Sequence, residues 1–190
     1  MFAPIRRLAD RLSRFRRDTR GSLLVESVFI VPIMALGLTG FYAFWDIYRT
    51  QNTVQKASYA VADMLSREMV PATPAFLDGL ERTLEFLIRE NARLRITSVR
   101  RISDGPNGVV GLDVLWSYSP SNAMVPLNET SLVTIEEAIP MMAVGSNMVI
   151  FEVQVPYVPV TDVLQVDTLN EVVAMRPRFL PTLCMQGVIC

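Results

Sequence analysis

The chain has 190 residues, 51% of them hydrophobic, and a formal net charge of −1, which excludes a disordered, highly charged tail protein. Near-neutrality hides two opposite parts. Residues 1–20 carry seven arginines (Arg6, Arg7, Arg11, Arg14, Arg16, Arg17, Arg20) against Asp10 and Asp18, while the remaining 170 residues carry 11 basic and 17 acidic side chains. Phosphate backbones need clustered cations on the folded part, so nucleic acid is not an expected partner. Histidine is absent, which removes Ser-His and Cys-His nucleophile pairs and His-ligated metal sites. The two cysteines, Cys184 and Cys190, are too few for a Cys-only zinc site. We therefore expect no catalytic residue, no metal and no cofactor.

After the arginine-rich start, Val28–Trp45 is a run of 18 uncharged residues, and the 24 positions from Ser22 contain one charge, Glu26. As a helix this stretch is roughly 36 Å long, enough to cross a bilayer core with some tilt. Pro32, Gly37 and Gly40 lie inside it. Such residues weaken a helix in water but are tolerated in membrane-spanning ones. Phe41, Tyr42, Phe44 and Trp45 close the run with an aromatic cluster suited to a membrane interface. The preceding arginines put the N-terminus in the cytoplasm by the positive-inside rule. An ordinary secretory signal has a shorter apolar core and a small-x-small site after it, and neither is found here. Glu26 is the oddity: a carboxylate inside an apolar run costs about 2.5–3.5 kcal/mol at mid-membrane, so it needs a partner, a use, or a route to the interface by snorkelling.

The surrounding residues read Arg16-Arg17-Asp18-Thr19-Arg20-Gly21-Ser22-Leu23-Leu24-Val25-Glu26-Ser27-Val28-Phe29-Ile30-Val31-Pro32. A basic leader, a glycine, four residues and a glutamate opening an apolar helix resemble the processing signal of type IV pilins and pseudopilins. The Arg-Gly-Ser start, the Val-Glu pair and the proline six residues after the glutamate resemble the TadE/TadF group of minor pseudopilins of tight-adherence (Flp) pili. Asp46-Ile47-Tyr48-Arg49, Asp63-Met64-Leu65-Ser66-Arg67-Glu68 and Arg176-Pro177-Arg178-Phe179 are also similar to stretches of that group. The resemblance implies cleavage by a prepilin peptidase between Gly21 and Ser22. It also implies subunit packing through Glu26 and Pro32, with other pilins, pseudopilins and the inner-membrane assembly platform as partners. The division it implies is a cytoplasmic leader over 1–21, a transmembrane helix over 22–46 and a periplasmic domain over 47–190. It implies a single-pass protein of the bacterial inner membrane, pilus-associated or surface-exposed after assembly. A type II secretion pseudopilin and a membrane-anchored binding domain unrelated to pili are the alternative readings.

Beyond the apolar run the helix is expected to continue over 47–69, where Ile47, Val54, Ala57, Val61, Met64 and Leu65 form one stripe. Pro71 and Pro74 end it. Thr73-Pro74 reads as the N-cap and first residue of a second helix reaching about Glu90, with Phe76, Leu77, Leu80, Leu84, Leu87 and Ile88 inward. Period-two patterning then predicts strands over Arg93–Ile102 and Val110–Tyr118 around the turn Ser103–Gly108. In the second strand Val110, Leu112, Val114, Trp116 and Tyr118 are expected on one face. Thr130–Ile139 reads as a short helix stopped by Pro140. Val149–Tyr157 reads as a strand with Glu152 and Gln154 facing away from the core, and Glu171–Met175 as a further strand. The expected class is α+β: a long N-terminal transmembrane helix extending into an extracytoplasmic domain with a second helix and an antiparallel sheet of three to four strands, a pilin-like arrangement.

Glu81, Glu85, Asp113, Glu136, Glu137 and Glu152 are the carboxylates available for acid/base work. Glu81 and Glu85 share a helix face with arginines nearby, which predicts a solvated charged face instead. Arg100-Arg101 and Arg176-Pro177-Arg178 read as small basic contact spots. An oxidising compartment favours a disulfide between Cys184 and Cys190, the alternative being two free thiols in a tail.

Overall fold

A computed structural model of the chain describes residues 13–17, 21–104, 109–161 and 166–188. The chain divides into two units, Met1–Trp45 and Asp46–Cys190. Helix α1, Gly21–Ser66, contributes Gly21–Trp45 to the first and Asp46–Ser66 to the second. It is long and apolar enough to cross a membrane, and none of its most apolar 18-residue stretch is buried. Leu23, Val28, Phe29, Ile33, Leu36 and Phe41 all stand exposed.

The second unit is an α+β domain. After α1 come α2 (Pro74–Ile88), β1 (Arg93–Asp104), β2 (Val109–Tyr118), α3 (Glu129–Leu132), β3 (Asn147–Pro156) and β4 (Thr168–Met175). The strands form one antiparallel sheet in the order β2-β1-β3-β4. Thr73 caps α2 as expected: its extended backbone turns the Oγ1 toward the Phe76 N–H at 3.2 Å, and Pro74 occupies the first turn. Arg89 ends the helix in the left-handed region (φ 61°), its N–H donating to the Glu85 carbonyl at 2.7 Å.

Both helices lie on one face of the sheet. Val54, Val61 and Leu65 of α1 and Leu77, Leu80 and Leu84 of α2 are buried with Leu94, Ile96, Phe151 and Val153. The inward stripe of α1 uses Ala62, fully buried, where the spacing had suggested Met64, which is 47% exposed. Leu87 of α2 is likewise exposed, since Ile88 takes the core-facing place after Leu84. The other face is covered by the segment between β2 and β3, where Leu127, Leu132 and Met142 pack on Val99, Met148 and Ile150.

That two-sided burial corrects two expectations. In β2 the five alternating residues do not share a face. Ser98 pairs with Trp116 but Val99 pairs with Val114, so Leu115 is an extra residue in a β-bulge. The bulge flips the alternation: Trp116 and Tyr118 face the helices, Leu112 and Val114 the opposite cluster. In β3, Glu152 is 6% exposed. It sits directly opposite Arg95 of β1 and accepts from that guanidinium through both oxygens, including Nε at 2.7 Å. Arg95 also donates to the Val125 carbonyl at 2.7 Å, so the pair ties the covering segment to the sheet. The Thr130–Ile139 helix is in fact the short α3, started by the Asn128–Ser131 capping box, followed by a 3-10 turn over Val133–Ala138. The turn residues 105–108 lie outside the described residues.

The C-terminal segment closes the domain. The Trp116 indole N–H donates to the Leu183 carbonyl at 2.8 Å. Ala72 exchanges backbone hydrogen bonds with Cys184 and Gln186 (2.8 and 2.9 Å). Breaking a buried ion pair on one side strands the other charge at a cost of about 3–5 kcal/mol. Glu152→Leu should therefore lower stability in that range, while the double variant Arg95→Met/Glu152→Leu recovers most of it. Chemical denaturation of the detergent-solubilised chain checks this, and equal stability of the single variant and the parent would contradict it.

Candidate functional site

The processing motif lies at the start of α1. Gly21 is the first residue of the helix, exposed, with open space where a side chain would begin. Ser22 follows it within the helix. Glu26 is exposed on the first turns, and among the described residues it makes no ion pair. Pro32 lies inside the helix six residues on. Proline lacks the N–H that would bond the carbonyl of residue 28, so the backbone is locally one hydrogen bond short. The helix thus presents, in order, an unobstructed glycine, an unpaired carboxylate and a proline on an otherwise apolar rod.

Several of the domain's own charged groups are by contrast engaged within it. Asp63 of α1 meets Arg67 and Arg178 at 2.6 Å each. Arg178 also donates its backbone N–H to the Ser66 carbonyl at 2.8 Å. Two of the sequence stretches singled out above, Asp63–Glu68 and Arg176–Phe179, are therefore spatial neighbours, and Arg178 ties the segment after β4 to the end of α1. Arg100 donates to Asn147 Oδ1 and Arg101 to the Met142 carbonyl. Asp46 accepts from the Tyr157 hydroxyl at 2.8 Å. No described cysteine is free: Cys184 is disulfide-bonded, and Cys190 lies outside the described residues.

Glu81 and Glu85 do not form the solvated face expected of them. Half-buried, they accept from the backbone N–H groups of Leu94 and Ala92, both at 3.3 Å, and so steer the chain from α2 into β1. Sequence spacing missed this because the partners are backbone groups beyond the helix end. The Tyr118 hydroxyl donates to Asp78 Oδ1 at 2.8 Å, and burial followed by that carboxylate pushes the phenol pKa up. The side chains of Glu136 and Glu137 lie outside the described residues. Among the described residues no cluster of three potential metal ligands occurs. A shallow groove of about 480 Å³ beside Val114, Ser117, Leu127 and Asn128 carries one carboxylate, Glu129.

Burial raises the Glu81 carboxyl pKa, with the Glu85 and Asp78 charges adding to it against the Leu94 N–H. A carboxyl raised in the folded state binds its proton more tightly there than in the unfolded chain. Its ionisation therefore opposes folding, fully above the raised pKa and not at all below the ordinary value of about 4.3. Glu81→Gln, which keeps an acceptor for Leu94, should raise the Tm at pH 7, with the gain vanishing near pH 4 and below. Thermal unfolding at the two pH values tests this, and a lower Tm at pH 7 would contradict it.

No family model matches the chain, and no solved structure does. A pentatricopeptide repeat-containing protein of Arabidopsis thaliana is 33% identical over 79 residues, 40% of this chain. The chain spans about 43% of that protein's length. No internal repeat runs through this sequence, and its domain is a sheet backed by helices, so repeat character does not carry over from that match.

Proposed function

We propose that the chain is a minor pseudopilin of a Tad/Flp-type pilus: a non-enzymatic structural subunit or assembly factor, held in the inner membrane, processed by a prepilin peptidase and used in assembly. The observation that carries this reading is the order of features at one helix start. An arginine-rich leader is followed by an unobstructed Gly21, by Glu26 five residues later, and by an apolar helix that no described residue buries over its most apolar stretch. A long N-terminal apolar helix followed by an α+β domain with an antiparallel sheet is the architecture this reading expects.

In this reading the leader stays cytoplasmic and the domain is periplasmic. The peptidase cuts between Gly21 and Ser22, so that Ser22 acquires a cationic amine. In a packed fibre that amine and the Glu26 carboxylate of a neighbour share a low-dielectric environment in which unpaired charge is costly. Their pairing sets the axial register between subunits, as a buried polar residue does in coiled coils. Pro32 frees a backbone acceptor in the same packing zone.

The mature protein should begin at Ser22 by mass spectrometry. Gly21→Leu places a bulky side chain beside the scissile bond and should leave a precursor heavier by the leader, about 2.5 kDa. Equal masses of the two proteins would refute the assignment and favour a membrane-anchored domain unrelated to pili. Glu26→Leu should still insert and be cleaved, insertion being easier without the charge, yet co-purify poorly with pilin partners. Assembly at the parental level would reduce Glu26 to a snorkelling carboxylate.

A further inference from the structure

We infer that residues 176–188 form a redox-sensitive latch: they fasten the connection between α1 and α2 to the sheet, and the Cys184 disulfide is the clasp that keeps the latch shut. This rests on the second unit alone and does not depend on the pilus reading. The helical layer is bonded to the rest of the domain in two different ways. Toward the start of β1 the bonds are direct. Tyr118 donates to Asp78, Leu94 to Glu81 and Ala92 to Glu85. Asp46 and Gln51 of α1 likewise reach Tyr157 and Glu171.

The stretch from Asp63 to Thr73 has no such bond. Leu65 and Ala72 are buried there by apolar packing, but among the described residues no hydrogen bond or ion pair joins this stretch directly to a strand. Every polar link passes through the latch. Arg178 holds Asp63 and the Ser66 carbonyl, and Ala72 exchanges backbone hydrogen bonds with Cys184 and Gln186. On its other side the latch is bonded to the sheet. The Leu183 carbonyl accepts from the Trp116 indole, and Asn147 of β3 donates to the Pro181 carbonyl and to Thr182 Oγ1 at 2.9 and 2.6 Å. Leu183 itself is fully buried.

The clasp sits where the latch meets the connection. Cys184 is disulfide-bonded, and the chain has one other cysteine, Cys190. Both residues that bond Ala72, Cys184 and Gln186, fall within the loop that this bridge closes. Gly187, at φ 86°, and the Val188 N–H, which donates to the Met185 carbonyl at 3.2 Å, turn the chain directly beyond them. A cross-link limits the conformations open to a released loop, so release gains little entropy while the bridge is intact. A dithiol that gives the bridge two electrons and two protons becomes a disulfide itself and leaves two thiols, and residues 185–188 regain that freedom. One group already favours opening. Ser98 lies on the helical face of β1 between the strands that carry Trp116 and Asn147; it is fully buried, and no described residue hydrogen-bonds its hydroxyl. Water admitted there would satisfy it.

The test compares the full chain in detergent micelles before and after dithiothreitol, counting thiols by alkylation and reading hydrogen exchange at backbone amides. Two thiols should alkylate without denaturant, and the amides of Ala72 and Gln186 should then exchange about tenfold faster, while those of Ala92 and Leu94 keep their rates. Untreated Cys190→Ser should match the reduced parent. Unchanged exchange at 72 and 186 after complete reduction overturns the inference, because the hydrogen bonds and Leu183 then hold the latch without its clasp. Equal acceleration at 92 and 94 also overturns it, the bridge then stabilising the whole domain and not one end. A bridge that the dithiol reaches only in denaturant is no switch, and that result overturns it too.

Discussion

An α-helix satisfies its own backbone but not its side chains, and apolar side chains have to be covered by something other than water. In α1 this requirement is met in two ways along one element. From Val54 onward the helix narrows to a stripe that α2 and the sheet cover. From Leu23 to Phe41 the apolar residues go all round, and among the described residues nothing buries them. A helix apolar on every side and exposed along its length requires a nonaqueous environment or neighbouring helices. The aromatic cluster ending at Trp45 and the charges from Asp46 onward mark the change between the two regimes.

The domain solves the same problem for a sheet. A four-stranded sheet with one helical face would leave the other to solvent, as antiparallel sheets commonly do. Here the segment from Ser119 to Met142 covers it, with Leu127, Leu132 and Met142 as apolar contacts. A buried Arg95–Glu152 pair and the Ser119 hydroxyl, which donates to the Leu94 carbonyl at 2.8 Å, fasten that cover at the sheet's start. The bulge at Leu115 follows from this two-sidedness. Trp116 is needed on the helical face, where its indole reaches Leu183, whereas Val114 is needed on the other. One extra residue lets a single strand supply both.

This explains what was legible beforehand. Where one local period governs burial, the sequence shows it: the length of α1, the Thr73-Pro74 start of α2, the four strands and their order along the chain. Met64, Leu87 and Glu152 were misread for a common reason. Each depends on a partner distant in sequence, and a periodicity cannot tell a solvated face from one covered by an irregular segment. The same holds for the closure by the C-terminal tail, since nothing near Ala72 or Ser66 announces Gln186 or Arg178 as a partner. The stretch around Gly21 is contiguous, so the reading proposed for it rests on the order of residues along one helix start and not on tertiary contacts.

On the pilus reading proposed above, the distribution of satisfied charge bears on where recognition between subunits would be written. Within the domain, Asp63 is held between Arg67 and Arg178, and Glu152 is gripped by Arg95. Charges already neutralised at short range contribute little to a second interaction, because a new partner has to displace the old one. Glu26 is different: it sits on the most apolar element and no described residue pairs with it. In hydrocarbon an unpaired carboxylate is costly wherever the rod is placed, and that cost falls only at positions where a cation comes within reach. Apolar contacts between smooth helices vary little as one slides along another. On the proposed pilus reading, one carboxylate among some twenty apolar positions would make sliding energetically uneven and confine the helix to a few axial registers.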